Sequence, residues 1–303
     1  MLLNRGTILF LFSLPSLLAE SRTMHVTHRY LNVPIGRASE MRLFEISEAG
    51  VLKRQFAIQL ADNPVDYWIF IDVSEFKGQT ITVSGPAQTA SLERLYQGDK
   101  IEGASTLYKE PNRPQFHFTA KRGWNNDANG PIFYKSQYHL FWQAFVFGVK
   151  PDGGFMYWGH AVSKDLIRWR ELAPALMNDR LGSVWSGTAV VDHNNDGGWG
   201  KEALVLFYTA FDRISHKQVQ CIAFSTDNGA HFSRYEGNPI LDSNQTVGSN
   251  DTRDPKVFWY EPTKHWVMVL FEKDGMSFYT STDLKAWTRK SHFPGLHECP
   301  RLL

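Results

Sequence analysis

Short β-type runs separated by turn residues fill the part of the chain between residues 24 and 104. The runs are rich in β-branched and aromatic residues, and the segments between them contain Gly, Pro, Asn and Asp, which favour turns. We therefore predict a small antiparallel β-sandwich over residues 24–104, with strands at residues 30–35, 41–46, 55–60, 67–73 and 80–83. It holds no cluster of candidate catalytic side chains, so we expect a structural or accessory module.

Beyond a linker at residues 105–114, the chain repeats a unit of strands and turns. Aromatic-rich strand patterns, such as those at residues 138–145 and 203–210, are each followed by a Ser-x-Asp turn and an aromatic residue. The turns begin at Ser163, Ser225 and Ser281, which are 62 and then 56 residues apart. Several short strands per unit at this period indicate a β-propeller, so the predicted fold class is all-β. We expect the Ser-x-Asp turns and their aromatic residues to be structural.

Residues 1–20 have the pattern of a signal peptide. Arg5 supplies a positive charge, residues 7–18 form a short apolar stretch, and Ala19 is a small residue at the cleavage point. The stretch is too short, and too interrupted by Ser and Pro, to span a membrane. We expect a secreted, periplasmic or cell-surface protein. With only Cys221 and Cys299 there is no disulfide framework, which favours a bacterial location.

Composition narrows the range of partners. The net charge is +1 and no run of Lys or Arg is longer than two residues, so a nucleic-acid partner is excluded. Ten Trp residues and an aromatic share of 14% fit both a β-rich core and rings that stack on sugars. His160, His193 and His216 lack the spacing of metal ligands, so neither a metal nor a cofactor is expected.

Each repeat opens on a characteristic polar block. The first strand of a propeller blade lines the central channel, so equivalent blade openings converge there. On this basis Asp127, Asp254 and Glu298 are predicted to meet in one pocket, where paired carboxylates suit glycoside hydrolysis as nucleophile and general acid. Taken alone, Asp127 also fits an ordinary turn, Asp254 a surface ion pair with Arg253, and Glu298 an exposed acid. The openings are residues 123–130, 184–188, 252–255 and 297–300.

The blocks Trp124 to Gly130 (WNNDANG), Arg253 to Pro255 (RDP) and Glu298 to Pro300 (ECP) resemble the three signature blocks of glycoside hydrolase family 32. The resemblance runs from about Pro114 to Pro300 and implies a five-bladed propeller with a retaining mechanism that cleaves β-fructofuranosidic bonds. It implies that Asp127 is the nucleophile and Glu298 the general acid/base, while Asp254, aided by Arg253, binds fructose hydroxyls. The residues that it implies line the fructose subsite are Trp124, Asn126, Gln143, Trp158, Trp185 and Ser186. A structural role as channel-lining core stays equally open for Gln143, Trp158 and Ser186.

The chain departs from the family pattern in two ways. Asn125 replaces the usual Met and Ala128 the usual Pro, and neither change removes a reacting group. Residues 115–303 hold about three blades and the start of a fourth, so we expect an incomplete propeller, a truncated form of the enzyme and little activity of the chain alone. The leading sandwich resembles an extra N-terminal module of some bacterial levan- and inulin-degrading members.

Two other interpretations remain beside a hydrolase of fructans or fructose-containing oligosaccharides. One is another five-bladed glycosidase acting on arabinose or xylose polymers, which the blocks around Asp127 and Glu298 do not suit. The other is a non-catalytic carbohydrate-binding protein or an inactive truncation product. Levan, inulin and sucrose stay open as substrates, as do endo and exo cleavage and the oligomeric state.

Overall fold

The computed structural model describes residues 20–61, 63–85, 92–148 and 155–300. Nearly all of the regular structure in these residues is antiparallel β-sheet, which confirms the predicted all-β class. The only α-helix among them, α1, is Ser243–Val247, and 3-10 turns lie at Ser74–Phe76 and Ala104–Thr106. The strands are β1 (Glu20–His25), β2 (Tyr30–Ile35), β3 (Arg42–Glu48), β4 (Val51–Ile58), β5 (Tyr67–Asp72), β6 (Thr80–Gly85), β7 (Tyr96–Gly98), β8 (Trp124–Tyr134), β9 (Gln137–Phe145), β10 (Tyr157–Ser163), β11 (Trp169–Glu171), β12 (Ser183–Asp192), β13 (Ala203–Phe211), β14 (Gln218–Ser225), β15 (Ser233–Arg234), β16 (Thr252–Tyr260), β17 (His265–Glu272), β18 (Gly275–Ser281) and β19 (Thr288–Pro294).

The N-terminal strands form two facing antiparallel sheets, with strand orders β1-β6-β3-β4 and β5-β2-β7. Their inner residues include Val33, Phe44 and Ile69, which are almost fully buried in one apolar cluster. The sequence missed β1 and β7. Strand β1 begins at Glu20, ahead of the predicted sandwich boundary at Met24, because it is a polar edge strand without a hydrophobic pattern. Residues 1–19 of the predicted signal peptide lie outside the described residues.

The described residues from Trp124 to Pro294 form three four-stranded sheets, each with its strands in chain order. We call them the first sheet (β8 to β11), the second sheet (β12 to β15) and the third sheet (β16 to β19). The opening strand of the second sheet, β12, lies beside both β8 and β16. Apolar side chains fill the spaces between sheets, with Phe141 and Tyr208 between the first and second, and Phe207 and Met268 between the second and third. Meander sheets with adjacent opening strands are typical of propeller blades.

The predicted Ser-x-Asp turns are structural, as expected. In the first sheet Asp165 Oδ1 accepts hydrogen bonds from the backbone N–H groups of Ile167 and Arg168, at 2.9 and 2.7 Å. The indole N–H of Trp169 donates to the carbonyl oxygen of Leu166 at 3.1 Å, which fixes the ring over the turn. The same bonds recur in the third sheet at Asp283, Lys285, Ala286, Leu284 and Trp287.

The sandwich and the first sheet share one hydrophobic core. The rings of Phe56 and Phe147 stack with their centroids 3.7 Å apart, and the N–H of Gln59 donates to the carbonyl oxygen of Phe147 at 3.1 Å. Trp142 and Ala144 of β9 belong to the same buried cluster as the sandwich residues. The predicted linker, residues 105–114, contains turns and no strand. The sandwich is therefore packed directly against the strands that carry the site described below.

Candidate active site

The structure brings the three predicted carboxylates to one end of the sheets. Asp127 lies near the start of β8, Asp254 lies near the start of β16, and Glu298 follows β19. Burial raises the pKa of Asp254, a hydrogen bond from the Cys299 N–H and the charge of Arg253 lower it, and the charges of Glu298 and Asp127 raise it further. Asp254 is therefore near enough to interact with each of the other two acids, although 127 and 44 positions separate it from them in sequence.

Asp127 is held by two polar side chains from neighbouring strands. The hydroxyl of Ser186 on β12 donates to Oδ2 of Asp127 at 2.6 Å. The amide of Gln143 on β9 donates to the same hydroxyl at 2.6 Å and to Asp127 Oδ2 at 3.4 Å. Gln143 and Ser186 are buried, whereas Asp127 is exposed. Both predicted residues thus contact the proposed nucleophile, and this contact fixes one of its oxygens.

Asp254 lies in an unusual backbone conformation at a break in strand pairing. Its φ is 62°, in the left-handed region that is uncommon for a residue with a side chain, and the register of β16 shifts between Arg253 and Lys256. Its N–H donates to Thr209 Oγ1 at 3.1 Å, and its Oδ2 accepts from the N–H of Cys299 at 3.1 Å. Strain of this kind persists only where surrounding groups hold it in place.

A buried polar chain behind Asp254 supplies that support. Thr209 donates from Oγ1 to Oε1 of Gln220 at 2.8 Å, and Gln220 Nε2 donates to the carbonyl oxygen of Thr252 at 3.1 Å. Ser243 donates to Thr252 Oγ1 at 3.0 Å, and all four residues are fully buried. The sequence analysis missed Thr209 and Gln220. The only feature of the sequence that marks Thr209 or Gln220 is that each is a polar residue within a mostly apolar strand, β13 or β14.

Arg253 is paired with Glu298. Its Nε and Nη2 donate to Glu298 Oε1 at 2.9 and 2.7 Å, its Nη1 donates to Gln218 Oε1 at 3.3 Å, and it also bonds Asp251. Its guanidinium lies over the ring of Phe271, 4.7 Å from the centroid. The Glu298 side chain is 46% exposed. Arg253 therefore orients the second predicted catalytic acid and faces the same space.

Cys299 adds a thiol to the site that the sequence analysis did not single out as a functional residue. Its Sγ lies 3.7 Å from Asp254 Oδ2. Burial, followed by the charges of Asp254, Asp127 and Glu298, raises the pKa of the thiol to about 11. The thiol is therefore protonated at neutral pH and acts as a weak donor toward Asp254.

The other residues predicted to line the fructose subsite fall into an exposed group and a buried one. Trp124 is 44% exposed, Asn126 beside it is exposed, and Trp185 is partly exposed with its ring stacked on Phe211 at 4.1 Å. Trp158, in contrast, is 0% exposed, and its indole N–H donates to the carbonyl oxygen of Trp185 at 3.0 Å. The alternative that the sequence left open for Trp158, a structural role in the channel-lining core, fits this burial. A ring without exposed surface supports the strand of Trp185 from beneath.

Comparison with known proteins assigns the family. Residues 117–302 match the model of the "Glycosyl hydrolases family 32 N-terminal domain", a range that covers more than half of the chain and includes all three carboxylates. The chain belongs to glycosyl hydrolase family 32. The strands of the sandwich precede the range that the family model matches. The hydrophobic core shared by the sandwich and the first sheet therefore joins the matched range to residues that lie before it.

Curated relatives of this family 32 chain include enzymes of bacteria and yeasts. It is 49% identical over 224 residues to the levanase of Bacillus subtilis (strain 168), covering 71% of this chain and 32% of the relative. It is 39% identical over 215 residues to the "Extracellular exo-inulinase inuE" of Meyerozyma guilliermondii, covering 64% of this chain and 40% of the relative. The chain thus spans about a third of the length of the Bacillus levanase.

Solved structures also resemble part of this family 32 chain. The exo-inulinase of Aspergillus awamori aligns with a TM-score of 0.55 and 36% identity over 61% of this chain and 40% of that one. The fructofuranosidase of Schwanniomyces occidentalis, complexed with fructose, aligns with a TM-score of 0.55 and 38% identity over 61% of this chain and 37% of that one. Within the described part of this family 32 chain, no helix has the length and apolar character needed to cross a membrane.

Proposed function

We propose that the protein is a retaining glycoside hydrolase that cleaves β-fructofuranosidic bonds. The observation that carries the proposal is the position of Asp127, fixed by Ser186 and Gln143 at the end of the sheets where Asp254 and Glu298 also lie. The names levanase and exo-inulinase among the relatives, and a neighbour complexed with fructose, support fructans and sucrose-type sugars as substrates.

Asp127 acts as the nucleophile. Its Oδ2 is held by Ser186, whereas its Oδ1 has no hydrogen-bond partner among the described residues. Attack by Oδ1 on the anomeric carbon of the fructosyl unit breaks the glycosidic bond and forms a fructosyl-enzyme ester. Water then hydrolyses the ester with a second inversion, so the overall outcome is retention of configuration.

Glu298 supplies and removes the proton. In the first step its protonated carboxyl gives a proton to the leaving oxygen, and in the second step the carboxylate takes one from the attacking water. The two N–H donors of Arg253 on Oε1 orient the group. Asp254, aided by Arg253, binds fructose hydroxyls, and the Asp254 carboxylate stabilises the positive charge that develops on the sugar.

The same proposal extends to the architecture and location of the protein. The first, second and third sheets are three blades of a five-bladed propeller in which opening strands surround the substrate. The pattern of residues 1–20 directs the protein out of a bacterial cell, where polymeric fructan would be met.

The test is fructose release from levan, inulin, sucrose and arabinan, with the anomeric configuration of the first product followed by NMR. Asp127→Asn should lower turnover by about 10³-fold or more and leave fructan binding nearly intact. Glu261→Gln is the control, because Glu261 follows β16 at the end opposite to Asp254. Because little activity is expected of the chain alone, the assay uses the chain extended by a C-terminal half of the family type. An extended protein that folds, binds fructan and releases no sugar would favour the carbohydrate-binding alternative. Release from arabinan alone would favour the other glycosidase.

A further inference from the structure

A groove separates the sandwich from the segment that leads into β8. Its volume is about 490 Å³, within the range of about 300–1,000 Å³ that is usual for small-molecule sites. The lining combines Trp68 of β5 with charged residues of both signs, namely Glu102, Glu110, Arg113, Lys121 and Arg122.

The ring of Trp68 is not part of the sandwich core. Side chains alternate along β5, so Ile69 and Ile71 are buried between the two sandwich sheets while Trp68 lies on the opposite face. There the ring meets Tyr96 edge to face, with centroids 5.5 Å apart, and remains partly exposed. The exposed part of this ring, beyond its contact with Tyr96, is available to a ligand.

Arg122 fixes the groove to the strand of the proposed nucleophile. Its guanidinium donates to the backbone carbonyl oxygens of Trp68 on one side and Glu102 on the other. Gly123 lines the end of the groove, and the next residue is the exposed Trp124 that opens β8. The groove thus begins beside the rim of the candidate active site, and two hydrogen bonds hold its walls in position.

The chemistry of the lining suits a neutral polyhydroxylated chain. Sugar rings offer C–H faces to aromatic rings, and their hydroxyls both donate and accept hydrogen bonds. Hydrogen bonding to Arg113 holds the pKa of Glu110 at about 2, so this carboxylate is a permanent acceptor at the edge, and Lys121 is a donor. Because Glu110 is already paired with Arg113 and Glu102 already accepts from Tyr96, a neutral chain can bind without separating charged partners.

We propose that this groove binds the part of a fructan chain that extends beyond the active site, so that the N-terminal sandwich selects long substrates. This inference rests on the proposed function for the identity of the sugar. The affinity gain should grow with chain length, because only a chain that passes Trp124 reaches Trp68.

Calorimetric titration with long and short fructo-oligosaccharides of the levan and inulin types tests the groove. The measurements use the Asp127→Asn background, in which the probes are not consumed. Trp68→Ala should weaken binding of the long chains by about tenfold, as loss of a central aromatic contact does, and the loss should be smaller for sucrose. Glu110→Gln, an exposed substitution that should leave the fold intact, should weaken long-chain binding severalfold.

Tyr260→Ala is the matched control, because Tyr260 is also an exposed aromatic residue but lies at the far end of β16. The proposal is overturned if the parent chain does not bind long fructans, or if folded Trp68→Ala and Glu110→Gln proteins bind them as tightly as the parent. Binding through Trp68 without sugar release by an extended protein that retains Asp127 would sink the proposed function alone. Fructose release that is insensitive to Trp68→Ala on long chains would sink the groove alone.

Discussion

The hydroxyl of Ser186 donates a 2.6 Å hydrogen bond to Oδ2 of Asp127 and so connects the second sheet to the proposed nucleophile on the first. Because Gln143 donates to the same hydroxyl at 2.6 Å, the proton of Ser186 must point toward Asp127. Two buried residues on different strands therefore set the direction of one carboxylate. A nucleophile gains most of its advantage from such fixed geometry.

We expect Ser186→Ala to lower kcat by about 10- to 100-fold with a smaller change in KM, because the carboxylate loses its orientation. Gln143→Leu should act in the same direction. The double variant should lose less than the sum of the two single losses, since both residues act on one oxygen. Steady-state kinetics on sucrose and inulin measure all three.

Ser291→Ala, at an exposed position on β19, is the control for these substitutions. A change confined to KM would assign Ser186 and Gln143 to sugar binding, the role that the family resemblance implies, and would contradict an orienting role. Strict additivity of the two free-energy losses would also contradict it.

Thr209→Val should destabilise the protein by about 1–3 kcal/mol, because it leaves the partly buried Asp254 N–H without its acceptor and the buried Oε1 of Gln220 without its donor. It should also lower kcat/KM, since the strained backbone at Asp254 loses its support. Urea unfolding and kinetics measure the two effects. Thr209→Ser retains the hydroxyl and should restore most of both losses. Equal behaviour of the Val and Ser variants would show that the hydroxyl does not matter.

The sequence predicted those features that local chemistry determines. The Ser-x-Asp turns were predictable because Asp165 and its equivalents bond backbone groups within a few residues. The positions of Asp127 and Asp254 at strand starts were predictable because repeats place equivalent residues at equivalent ends. These features need no knowledge of which strands become neighbours.

The remaining features depend on contacts between distant strands. The buried chain from Thr209 to Ser243 joins residues on different strands and on α1, and a polar residue in an apolar strand gives no indication of its partner. Trp158 and Trp185 look alike in sequence, yet only neighbouring strands decide which ring is covered. Strand β1 was missed because it is held in place by hydrogen bonds to β6 and has no hydrophobic pattern of its own.

Asp254→Asn should stabilise the protein at pH 7 by about 0.5–2 kcal/mol, as removal of a strained functional charge often does. Burial and two neighbouring carboxylates raise the Asp254 pKa above its ordinary value of 3.8, so folding favours the protonated form. The cost of the buried charge is absent below that value and appears as the pH rises through the folded pKa. The gain in Tm should therefore shrink on acidification toward about pH 4.

Thermal unfolding of the parent and the Asn variant between pH 3 and 8 provides the measurement. The side chain of Asn retains an oxygen that can accept the Cys299 N–H, so the bond at 3.1 Å need not be lost. A lower Tm of the variant at pH 7, or a gain that does not change with pH, would contradict this account of Asp254.

A buried pair of histidines connects β9 and β10 away from the carboxylates. Nδ1 of His139 and Nε2 of His160 lie 3.0 Å apart, and both residues are almost fully buried. One nitrogen must donate and the other accept, so both rings cannot be doubly protonated. Burial lowers the pKa of both, and with the charges of His139 and Arg170 it lowers that of His160 to about 3.

The pair should make the fold sensitive to acid. In the unfolded chain both imidazoles titrate near 6.5, whereas His160 in the folded protein resists protonation until about pH 3. Below pH 6.5 the unfolded state binds more protons, so stability present at neutral pH is lost progressively as the pH falls from 6.5 toward 3.

His160→Phe removes this titration and keeps a ring against Phe141, with which His160 stacks at 4.5 Å. We expect a smaller decrease of Tm between pH 7 and 5 in this variant than in the parent, even if its Tm at pH 7 is lower. His117→Gln, at an exposed histidine, should leave the pH dependence unchanged. An unaltered slope in His160→Phe would mean that the carboxylates alone govern acid stability.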